Sequence, residues 1–401
     1  MKYKGICFLT EYNTVKTICT VAVLHENEIM EVGKIAAKFS DEERDAIISI
    51  LQQSGEEQFK GTYKVPPGIC LQVGFEGIKN DQLIAPVYIS LAVGEKWAAC
   101  TWTKLQLSQY EAVNITNPEK ILWTDQSITK ELYLDYLLTI SDFMLPFLKD
   151  RFLTIKRYPE GVFSEGFYQK STPDYAPGFV KTAFNHDIKY TVCDNIETLL
   201  WLGNQSAIEY HIPFNKIDDW NPTEIVFDLD PPILGDLRLA VKAALEMKAL
   251  FDQFQLTSFV KLSGRKGIQV HIPLYDGTIS YSQTRIFTEF IALYLVDRYP
   301  DDFTTERLKK NRGNRLYVDY IQHDKDKTII CPYSPRETSC PCIATPLFWE
   351  EVKSDLKTED YTMKVVKKRV SEGINPFKHY FTVNQSSQLK KIINFISEKD
   401  K

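Results

Sequence analysis

Residues 224–232 read EIVFDLDPP, an apolar segment that carries two aspartates, Asp228 and Asp230, and stops at two prolines. Successive side chains of a β-strand point to opposite faces, so both carboxylates share one face and the apolar residues between them face the other. Two anions on one buried face repel each other and lose hydration, and a divalent cation would relieve both costs. Pro231 and Pro232 cannot donate to a continuing ladder, so we expect the strand to end there and the acidic pair to open onto a cleft.

A second predicted strand, LYVDYI at 316–321, carries a third acid, Asp319. Its apolar positions Leu316 and Val318 are expected to face the core, which places Asp319 on the opposite face. Three carboxylates from two strands are enough to hold two Mg²⁺ or Mn²⁺ ions around a transferring phosphoryl group. The aspartate pair alone is a weak signal, and the third acid in a matching strand strengthens it.

The segment KLSGRKGIQVHIPL at 261–274 lies between these strands and predicts a strand, a glycine-bearing turn and a second strand. Glycines let the backbone approach a ligand, the turn amides can surround phosphate oxygens, and Lys266 adds a positive charge. Gln269 and His271 share one face of the second strand. A plain hairpin with a basic tip is the alternative interpretation, since no GxxxxGK phosphate-binding loop occurs.

Basic residues cluster directly before the third acid, in ERLKKNRGNR at 306–315. Such a run is usually a solvated surface, but its position beside three carboxylates favours contact with a polyphosphate or a nucleic-acid backbone. After the strand, the segment CPYSPR provides Arg336, whose guanidinium group suits bidentate phosphate binding.

The chain has 401 residues and a net charge of -5, so local basic patches, and not the overall field, must hold any anionic partner. No window approaches the roughly 18 uninterrupted apolar residues of a membrane span, and the N-terminus has no signal-peptide pattern. We therefore expect a cytoplasmic protein. Its eight cysteines lack CxxC spacing, which favours buried free thiols over a zinc site.

The order of sequence patterns predicts two structural regions. Residues 15–95 contain short alternating segments and one helical stretch, DEERDAIISILQQ, which is typical of a small β-barrel with a helix. A polar connection follows, and then amphipathic helices mix with apolar strands, including predicted helices at 236–254 and 282–299. This order predicts an α+β fold, with helices on the back of a mixed or antiparallel sheet.

Several segments resemble, in this order, the polymerase domain of bacterial DNA ligase D, a member of the archaeo-eukaryotic primase superfamily. The matching segments are NPEKILW, RYPEGVFSEGFYQK, LLWLGNQSAIEYH, EIVFDLDPP, KLSGRKGIQVHIPL, RLYVDYIQHDKDKTIICPYSPR and PLFWEEV. Together they span about residues 114–375, which is too many ordered matches for chance.

The resemblance implies a role for each matched position. The implied catalytic and metal-binding acids are Asp228, Asp230 and Asp319, and His211 matches an active-site histidine. The implied nucleotide-binding residues are Ser263, Lys266, Gly267, Gln269, His271 and Arg336. The implied DNA-binding residues are Asn117, Lys120, Phe167, Tyr168 and Lys170. In the last group the aromatic pair would stack on the template, and the other three would hold the 5′-phosphate at a break.

The chain departs from the family pattern near the nucleotide. Many members have histidine where this chain has Gln269, so triphosphate contact is expected from Gln269 or from His271 on the same face. Gln322 and His323 follow the third acid where other members carry Arg or Gln and then Asn. These differences affect the expected nucleotide affinity and leave the metal site unchanged.

The front of the chain contains the segments EVGKIAAKFSDEE and PPGICLQVGF. Through them residues 1–95 resemble, more weakly, the oligonucleotide-binding-fold (OB-fold) domain that ends an ATP-dependent DNA ligase. No KxDG adenylation motif occurs, so the chain resembles the rear of a ligase fused to a polymerase, as in Bacillus-type enzymes, without the adenylation domain. We predict an OB-fold domain at 1–95, a linker at 96–113 and a primase-like polymerase domain at 114–401.

The resemblance implies a template-directed DNA/RNA nucleotidyltransferase that fills gaps and extends ends at double-strand breaks in bacterial nonhomologous end joining. It implies two Mn²⁺ or Mg²⁺ ions, NTP or dNTP substrates, and DNA ends with a 5′-phosphate and a template strand. A Ku homodimer and a separate ligase or adenylation domain are expected partners, a membrane is not, and a nucleoid-associated location follows. Two alternatives stay open: a non-catalytic DNA end-binding part of an ATP-dependent DNA ligase, and a DxD metal-dependent glycosyltransferase.

Overall fold

The computed structural model describes residues 1–274 and 277–399. Its contacts divide the chain into two compact units, Met1–Asn114 and Ile115–Lys401. Each unit has a hydrophobic core of its own.

The first unit is built on antiparallel strands. Its strands are β1 (Tyr3–Asn13), β2 (Ile18–His25), β3 (Glu28–Ala36), β4 (Glu56–Phe59), β5 (Thr62–Lys64), β6 (Cys70–Phe75), β7 (Gly77–Lys79), β8 (Gln82–Ile84) and β9 (Val87–Leu91). Its helices are α1 (Asp41–Ser54) and α2 (Trp102–Leu107), with 3₁₀ turns at Trp97–Ala99 and Ser108–Val113. One sheet has the order β3-β2-β1-β5-β4, and β6 joins it by pairing with β1 and β9.

Helix α1 confirms the helix predicted from DEERDAIISILQQ. Its first turn is fixed by a capping box, in which Ser40 and Glu43 satisfy each other's backbone amide, and it buries Ile47 and Leu51. The sheet curls into an antiparallel half-barrel. The predicted OB-fold therefore stays a prediction.

The residues expected to form a linker, 96–113, belong to the first unit. They fold into α2 and the two 3₁₀ turns, and Trp102 and Leu105 lie in the core of that unit. The sequence suggested a linker because its composition is polar and no helical pattern is visible in it. Helix α2 is only six residues long, which is too short for its apolar side to appear as a periodic pattern.

The second unit contains the segments that resemble the polymerase domain. Its strands are β10 (Ile121–Trp123), β11 (Ile128–Thr129), β12 (Thr154–Arg157), β13 (Phe167–Gln169), β14 (Lys181–Asn185), β15 (Ile188–Val192), β16 (Ala207–Pro213), β17 (Glu224–Asp230), β18 (Phe259–Leu262), β19 (Ile268–Pro273), β20 (Phe303–Thr304), β21 (Leu316–Asp319), β22 (Thr328–Ile330) and β23 (Pro346–Leu347). Its helices are α3 (Lys130–Leu148), α4 (Ile196–Asn204), α5 (Arg238–Gln253), α6 (Tyr281–Arg298), α7 (Lys309–Arg312), α8 (Met363–Ser371) and α9 (Ser386–Lys399). Further 3₁₀ turns lie at Trp349–Glu351, Thr358–Asp360 and Tyr380–Thr382.

Two sheets organise this unit. The main sheet has the order β20-β21-β17-β19-β18-β23, in which β20 and β21 are parallel and the other neighbours are antiparallel. The second sheet has the order β13-β12-β16-β22 and is antiparallel. The α+β class predicted from the sequence is confirmed.

Helices cover one face of the main sheet. Phe227 of β17 packs against Phe251 of α5 and Phe287 of α6, with ring centroids 5.8 Å and 6.3 Å away. All three rings are fully buried, and residues of α9 complete the same core. This packing uses the apolar face of β17 and leaves the acidic face for other contacts.

The described part of the chain has no helix with the length and apolar character required to span a bilayer.

Candidate active site

The three predicted acids lie on neighbouring strands of the main sheet. Asp228 on β17 is the direct cross-strand partner of Asp319 on β21, and Asp230 is opposite Tyr317. Directly opposed residues of antiparallel strands share a face, with Cβ atoms about 5 Å apart. The backbone therefore brings the three acids to one face, as the alternation of the sequence predicts.

A line of polar residues crosses four strands at this position. Lys261 on β18 is opposite Gln269 on β19, Gln269 is opposite Asp228, and Asp228 is opposite Asp319. We call these four residues the polar row. Gln269 donates from Nε2 to Oδ1 of Asp228 at 3.0 Å, so the hydrogen-bond partner of this carboxylate within the row is a neutral amide.

The environment of Asp228 opposes a negative charge. Burial and the neighbouring carboxylate of Asp230 raise the pKa of Asp228 to about 7, and the charge of Asp319 acts in the same direction. The hydrogen bond from Gln269 and the charge of Lys261 only partly offset these effects on the pKa of Asp228. A cation placed between the carboxylates would reverse this balance.

The other two acids have partners within the chain. Asp230 forms an ion pair with Lys266, with Oδ2 and Nζ 2.7 Å apart. Asp319 accepts from the Tyr317 hydroxyl at 3.2 Å and from the backbone amide of Gln322 at 2.9 Å. Among the described residues, no group of three or more His, Cys, Asp or Glu side chains is already arranged to hold a metal ion.

The donor chemistry nevertheless fits a hard divalent cation. Carboxylate oxygens on one face of two adjacent strands are the ligands that Mg²⁺ and Mn²⁺ prefer. Asp228 in particular is partly buried and has a neutral amide, not a cation, as its hydrogen-bond partner. A buried carboxylate without a cationic partner carries a desolvation cost that a bound cation removes.

The turn between β18 and β19 is closed by a serine. Ser263 Oγ accepts backbone amides from Lys266 at 3.4 Å and from Gly267 at 3.0 Å. Gly264 has a φ of +77°, which favours glycine. A Cβ on Gly267 would lie 2.5 Å from the Leu229 carbonyl oxygen, so this glycine allows the turn to approach the acidic strand.

Arg336 and His211 meet at a glutamate that sequence reasoning missed. His211 Nε2 lies 2.9 Å from Oε2 of Glu209, and Arg336 Nε lies 3.0 Å from Oε1, at ion-pair distance without hydrogen-bond alignment. Burial opposes ionisation of Glu209, but the hydrogen bond from His211 and the charge of Arg336 lower its pKa to about 2. The signal was present in IEYH, where alternation places the acid and the histidine on one face of β16.

The structure argues against the expected nucleotide contact of His271. This residue is 1% exposed, and its Nδ1 lies 3.0 Å from Oε2 of Glu224 and 3.2 Å from the Tyr380 hydroxyl. Arg151 Nη2 is 3.1 Å from the other oxygen of Glu224. Although His271 shares a face with Gln269, distant parts of the chain cover it, and we call Arg151, Glu224, His271 and Tyr380 the buried ion cluster.

Gln269 is better placed than His271 but is also 3% exposed. Its Oε1 has no hydrogen-bond partner among the described residues, and the same holds for Nζ of Lys261. Lys261 was missed by sequence reasoning, although a lysine inside the apolar strand FVKL is itself an unusual feature.

The predicted DNA-binding residues occupy several surface positions. Phe167 and Tyr168 on β13 are 47% and 61% exposed, which is high for large aromatic side chains and suits stacking. The Asn117 carbonyl accepts the Lys120 amide at 3.1 Å, and Lys120 Nζ pairs with Glu160 at 3.0 Å. Lys170 lines a cavity of about 460 Å³.

That cavity is a further feature that sequence reasoning missed. Besides Lys170 it is lined by Phe184, Trp220, Lys325 and Lys327, and it lies in the second unit. Lys325 Nζ stands 5.0 Å from the Trp220 ring centroid. The structure thus associates Lys170 with a different group of residues from Lys120 and Glu160.

The basic run before the third acid is tied to it by contact. Arg312 stacks on Tyr317, with the guanidinium carbon 3.8 Å from the ring centroid, and the Tyr317 hydroxyl donates to Asp319. Arg312 and Arg315 also donate to backbone carbonyls of their own segment. Arg307, Lys309 and Lys310 are exposed, so the run combines a structural part with a solvated part.

A family model described as the LigD primase-polymerase domain matches residues 129–377. The chain belongs to this family. Membership confirms the resemblance predicted from the sequence, and with it the expected class of the matched region, a nucleotidyltransferase domain of the primase-polymerase type.

Curated relatives and a solved structure agree with the family. The bifunctional non-homologous end joining protein LigD of Bacillus subtilis is 39% identical over 407 aligned residues, which cover 100% of this chain and 66% of that protein. The multifunctional LigD of Mycolicibacterium smegmatis is 32% identical over 253 residues, 61% of this chain and 33% of that protein. The polymerase domain of Mycobacterium tuberculosis Ligase D in complex with DNA matches with a TM-score of 0.62 and 27% identity, covering 68% of this chain and 98% of that structure.

Proposed function

We propose that this chain is a template-directed DNA/RNA nucleotidyltransferase, which fills gaps and extends 3′ ends at double-strand breaks during nonhomologous end joining. The observation that carries the proposal is the placement of Asp228, Asp230 and Asp319 on one face of adjacent strands, with Asp228 lacking a cationic partner. Family membership of residues 129–377 agrees with it.

Asp228 and Asp230 are the residues that would hold two Mn²⁺ or Mg²⁺ ions, and Asp319 would complete the site beside the primer hydroxyl. Bound there, the ions would lower the barrier to in-line attack on the α-phosphate by neutralising developing charge. For the chain itself, a cation bound to Oδ2 of Asp230 would displace Lys266, because Nζ lies 2.7 Å from that oxygen.

Lys266 then has a second role available. Once separated from Asp230, its ammonium group can move to the triphosphate, beside the amides of the turn closed by Ser263 and Gly267. Arg336 and Gln269 would contact the same substrate from the Glu209 side and from β19. His211 would act through Glu209, since both its hydrogen bond and the Arg336 ion pair end on that carboxylate.

DNA would be held by residues outside the main sheet. Phe167 and Tyr168 would stack on the template, and Asn117, Lys120 and Lys170 would hold the 5′-phosphate of the break. Support comes from the exposure of the aromatic pair and from the similar mycobacterial polymerase domain, whose structure was solved in complex with DNA. In the first unit, the region 1–95 would serve as a ligase-type OB-fold, and a Ku homodimer would deliver the DNA ends.

A gap-filling assay tests the proposal. The full chain is incubated with a primed, 5′-phosphorylated gap, with NTPs or dNTPs, and with Mn²⁺ or Mg²⁺, and primer extension is measured. We expect incorporation directed by the template base. Binding of the gap without any incorporation under all these conditions would instead indicate an end-binding scaffold, and sugar-nucleotide hydrolysis would indicate a glycosyltransferase.

A single substitution tests the proposed contact of Lys120 with the 5′-phosphate. Lys120→Ala is expected to reduce the preference for 5′-phosphorylated over 5′-hydroxyl gaps by several-fold, because a partly exposed charge contributes about 1 kcal/mol. Mn²⁺ affinity should not change. Equal losses on both types of end would contradict the assignment of Lys120.

A further inference from the structure

Lys261 is a fully buried lysine in the middle of the main sheet. Its exposed fraction is 0%, and its Nζ has no hydrogen-bond partner among residues 1–274 and 277–399. On the side of β23 it is opposite Pro346, which offers neither a polar side chain nor an N–H group. On the side of β19 it is opposite Gln269.

An isolated buried amine is costly to the fold. Removing a polar group from water without a partner destabilises the folded state, and more so when the group is charged. Burial lowers the pKa of Lys261 to about 7, and the nearby charge of Arg336 acts in the same direction. A methionine is unbranched and apolar and would avoid that cost, so stability does not explain the lysine.

The side-chain amide of Gln269 also has a buried polar atom without a hydrogen-bond partner. Gln269 uses Nε2 to donate to Asp228, while its Oε1 is buried and lacks a partner in the described chain. Lys261 and Gln269 are direct cross-strand partners and share a face, so the unused donor and the unused acceptor belong to adjacent side chains. Both a charged and a neutral lysine amine carry N–H donors, so this pairing does not depend on protonation.

The orientation of the Gln269 amide matters to Asp228. With Nε2 toward Asp228 the amide donates to Oδ1, whereas a flipped amide would place its oxygen against the carboxylate. Lys261 Nζ and Gln269 Oε1 are not hydrogen-bonded in the structure, but a donor that reached Oε1 from the far end of the amide would select the first orientation. The carboxylate is then held through one oxygen, and its second oxygen points elsewhere.

We propose that Lys261 is a positioning residue for the metal site, which holds the Gln269 amide so that Asp228 presents one fixed oxygen to a divalent cation. This inference rests on the proposed function and deepens it. Lys261 touches neither the nucleotide nor the metal, and its effect passes through Gln269.

The test is a double-mutant cycle on Mn²⁺ binding, measured by calorimetry on the full chain without nucleotide or DNA. The variants are Lys261→Met, Gln269→Leu and both together. Loss of an outer partner of a metal ligand usually weakens metal binding by about 10- to 100-fold, so we expect Lys261→Met to bind Mn²⁺ at least about tenfold more weakly. In the Gln269→Leu background the same change should alter Mn²⁺ affinity by less than about twofold, since the amide through which Lys261 acts on Asp228 is already absent.

Lys130→Met is the matched control. Lys130 is also a buried lysine, at 4% exposure, but its Nζ donates to the Thr116 carbonyl at 2.7 Å and it lies outside the main sheet. We expect this variant to bind Mn²⁺ as the wild type does. Should Lys261→Met fail to fold, Lys261→Gln provides a neutral side chain with an N–H donor, and it is expected to keep more Mn²⁺ affinity than Lys261→Ala.

The outcomes separate the inference from the function on which it rests. Normal Mn²⁺ binding by the wild type together with unchanged affinity in Lys261→Met would overturn the inference alone. Equal losses from Lys261→Met in both Gln269 backgrounds would do the same, because they would show a general effect of charge. A wild type that binds no Mn²⁺, or an Asp228→Ala variant that binds as well as the wild type, would overturn the metal site and the inference together.

Discussion

Two carboxylates on strand β17, Glu224 and Asp228, share one face of the main sheet and have opposite environments. Glu224 is 1% exposed, and Arg151, His271 and Tyr380 surround it. Burial alone would raise its pKa, but the charge of Arg151 and the hydrogen bond from His271 lower the pKa of Glu224 to about 2. Burial and the other acids instead raise the pKa of Asp228 to about 7.

The difference shows what distinguishes a structural acid from one that is ready for a ligand. The buried ion cluster supplies every charge that Glu224 needs, so the cluster is complete within the chain. The polar row gives Asp228 a neutral amide as its hydrogen-bond partner and one further carboxylate, and Asp230 adds a second carboxylate. The charge of Lys261 only partly offsets these acids, so charge balance at Asp228 requires a cation from outside the chain. Changes to the two residues should therefore have opposite effects on activity and on stability.

Asp228→Asn is expected to have the largest effect, on activity. Loss of a metal ligand removes several kcal/mol of transition-state stabilisation, so primer extension should fall by roughly a thousandfold or more. Stability without metal should stay the same or rise, because a repelled charge is removed. Extension rates and amide hydrogen exchange of β17 and β19 check both parts, and activity within tenfold of the wild type would contradict the assignment.

Glu224→Gln should show the reverse pattern, with a large effect on stability. The substitution leaves Arg151 buried without its counter-charge, which costs about 3 kcal/mol. Hydrogen exchange of β17 and β19 is the measurement, since it reports on this sheet separately from the first unit. Mn²⁺ affinity of the folded protein should remain near that of the wild type. Equal losses of Mn²⁺ affinity in Glu224→Gln and Asp228→Asn would remove the distinction between the two acids.

The pH dependence of stability should separate the two acids in metal-free buffer. Asp228 has a folded pKa of about 7, above its ordinary value of 3.8, so its contribution to stability is present at low pH and is lost as pH rises from about 4 to 7. Glu224 has a folded pKa of about 2, below 4.5, so its contribution is lost only as pH falls from about 4.5 to 2.

The measurement for this prediction is the free energy of unfolding between pH 2 and pH 8 for the wild type and Asp228→Asn. Relative to Asp228→Asn, which shares the other titrating groups, we expect the wild type to lose on the order of 3 kcal/mol between pH 4 and pH 7. Saturating Mn²⁺ should abolish this loss. Parallel curves for the two proteins across that range would show that Asp228 is not perturbed.

Tyr380→Phe is expected to have the smallest effect. It removes the hydroxyl that donates to Glu224, while His271 and Arg151 remain in place. The loss of one of several partners should cost about 1 kcal/mol of stability. Hydrogen exchange near β17 checks the loss, and Mn²⁺ affinity serves as the control because the polar row is not altered. A loss as large as that of Glu224→Gln would mean that Tyr380, and not Arg151, dominates the cluster.

Much of the second unit follows from local patterns in the sequence. The strand EIVFDLD, its end at the prolines and the alternation of its faces agree with β17, since each depends on near neighbours only. The predicted helices at 236–254 and 282–299 agree with α5 and α6 to within two residues at each end. The pairing of Asp228 with Asp319 is long-range, and it was expected because both strands carried an acid on the polar face.

Local sequence patterns did not predict which side chains contact each other. Alternation placed His271 on the face of Gln269, but Tyr380, far away in the chain, decides that this histidine is buried. Similarly, the polarity of residues 96–113 suggested a linker, whereas the burial of Trp102 depends on strands that precede it by many residues. The polarity of a side chain can be read from the sequence, whereas its burial depends on residues that are distant in the chain.

The polar row also has a consequence for folding. Its members come from β18, β19, β17 and β21, so the row exists only after strands distant in the chain have docked. Contacts of this kind close late, since loop entropy must be overcome first. A divalent cation would therefore recognise only molecules in which β21 has joined β17, and it would retard the departure of that strand during unfolding.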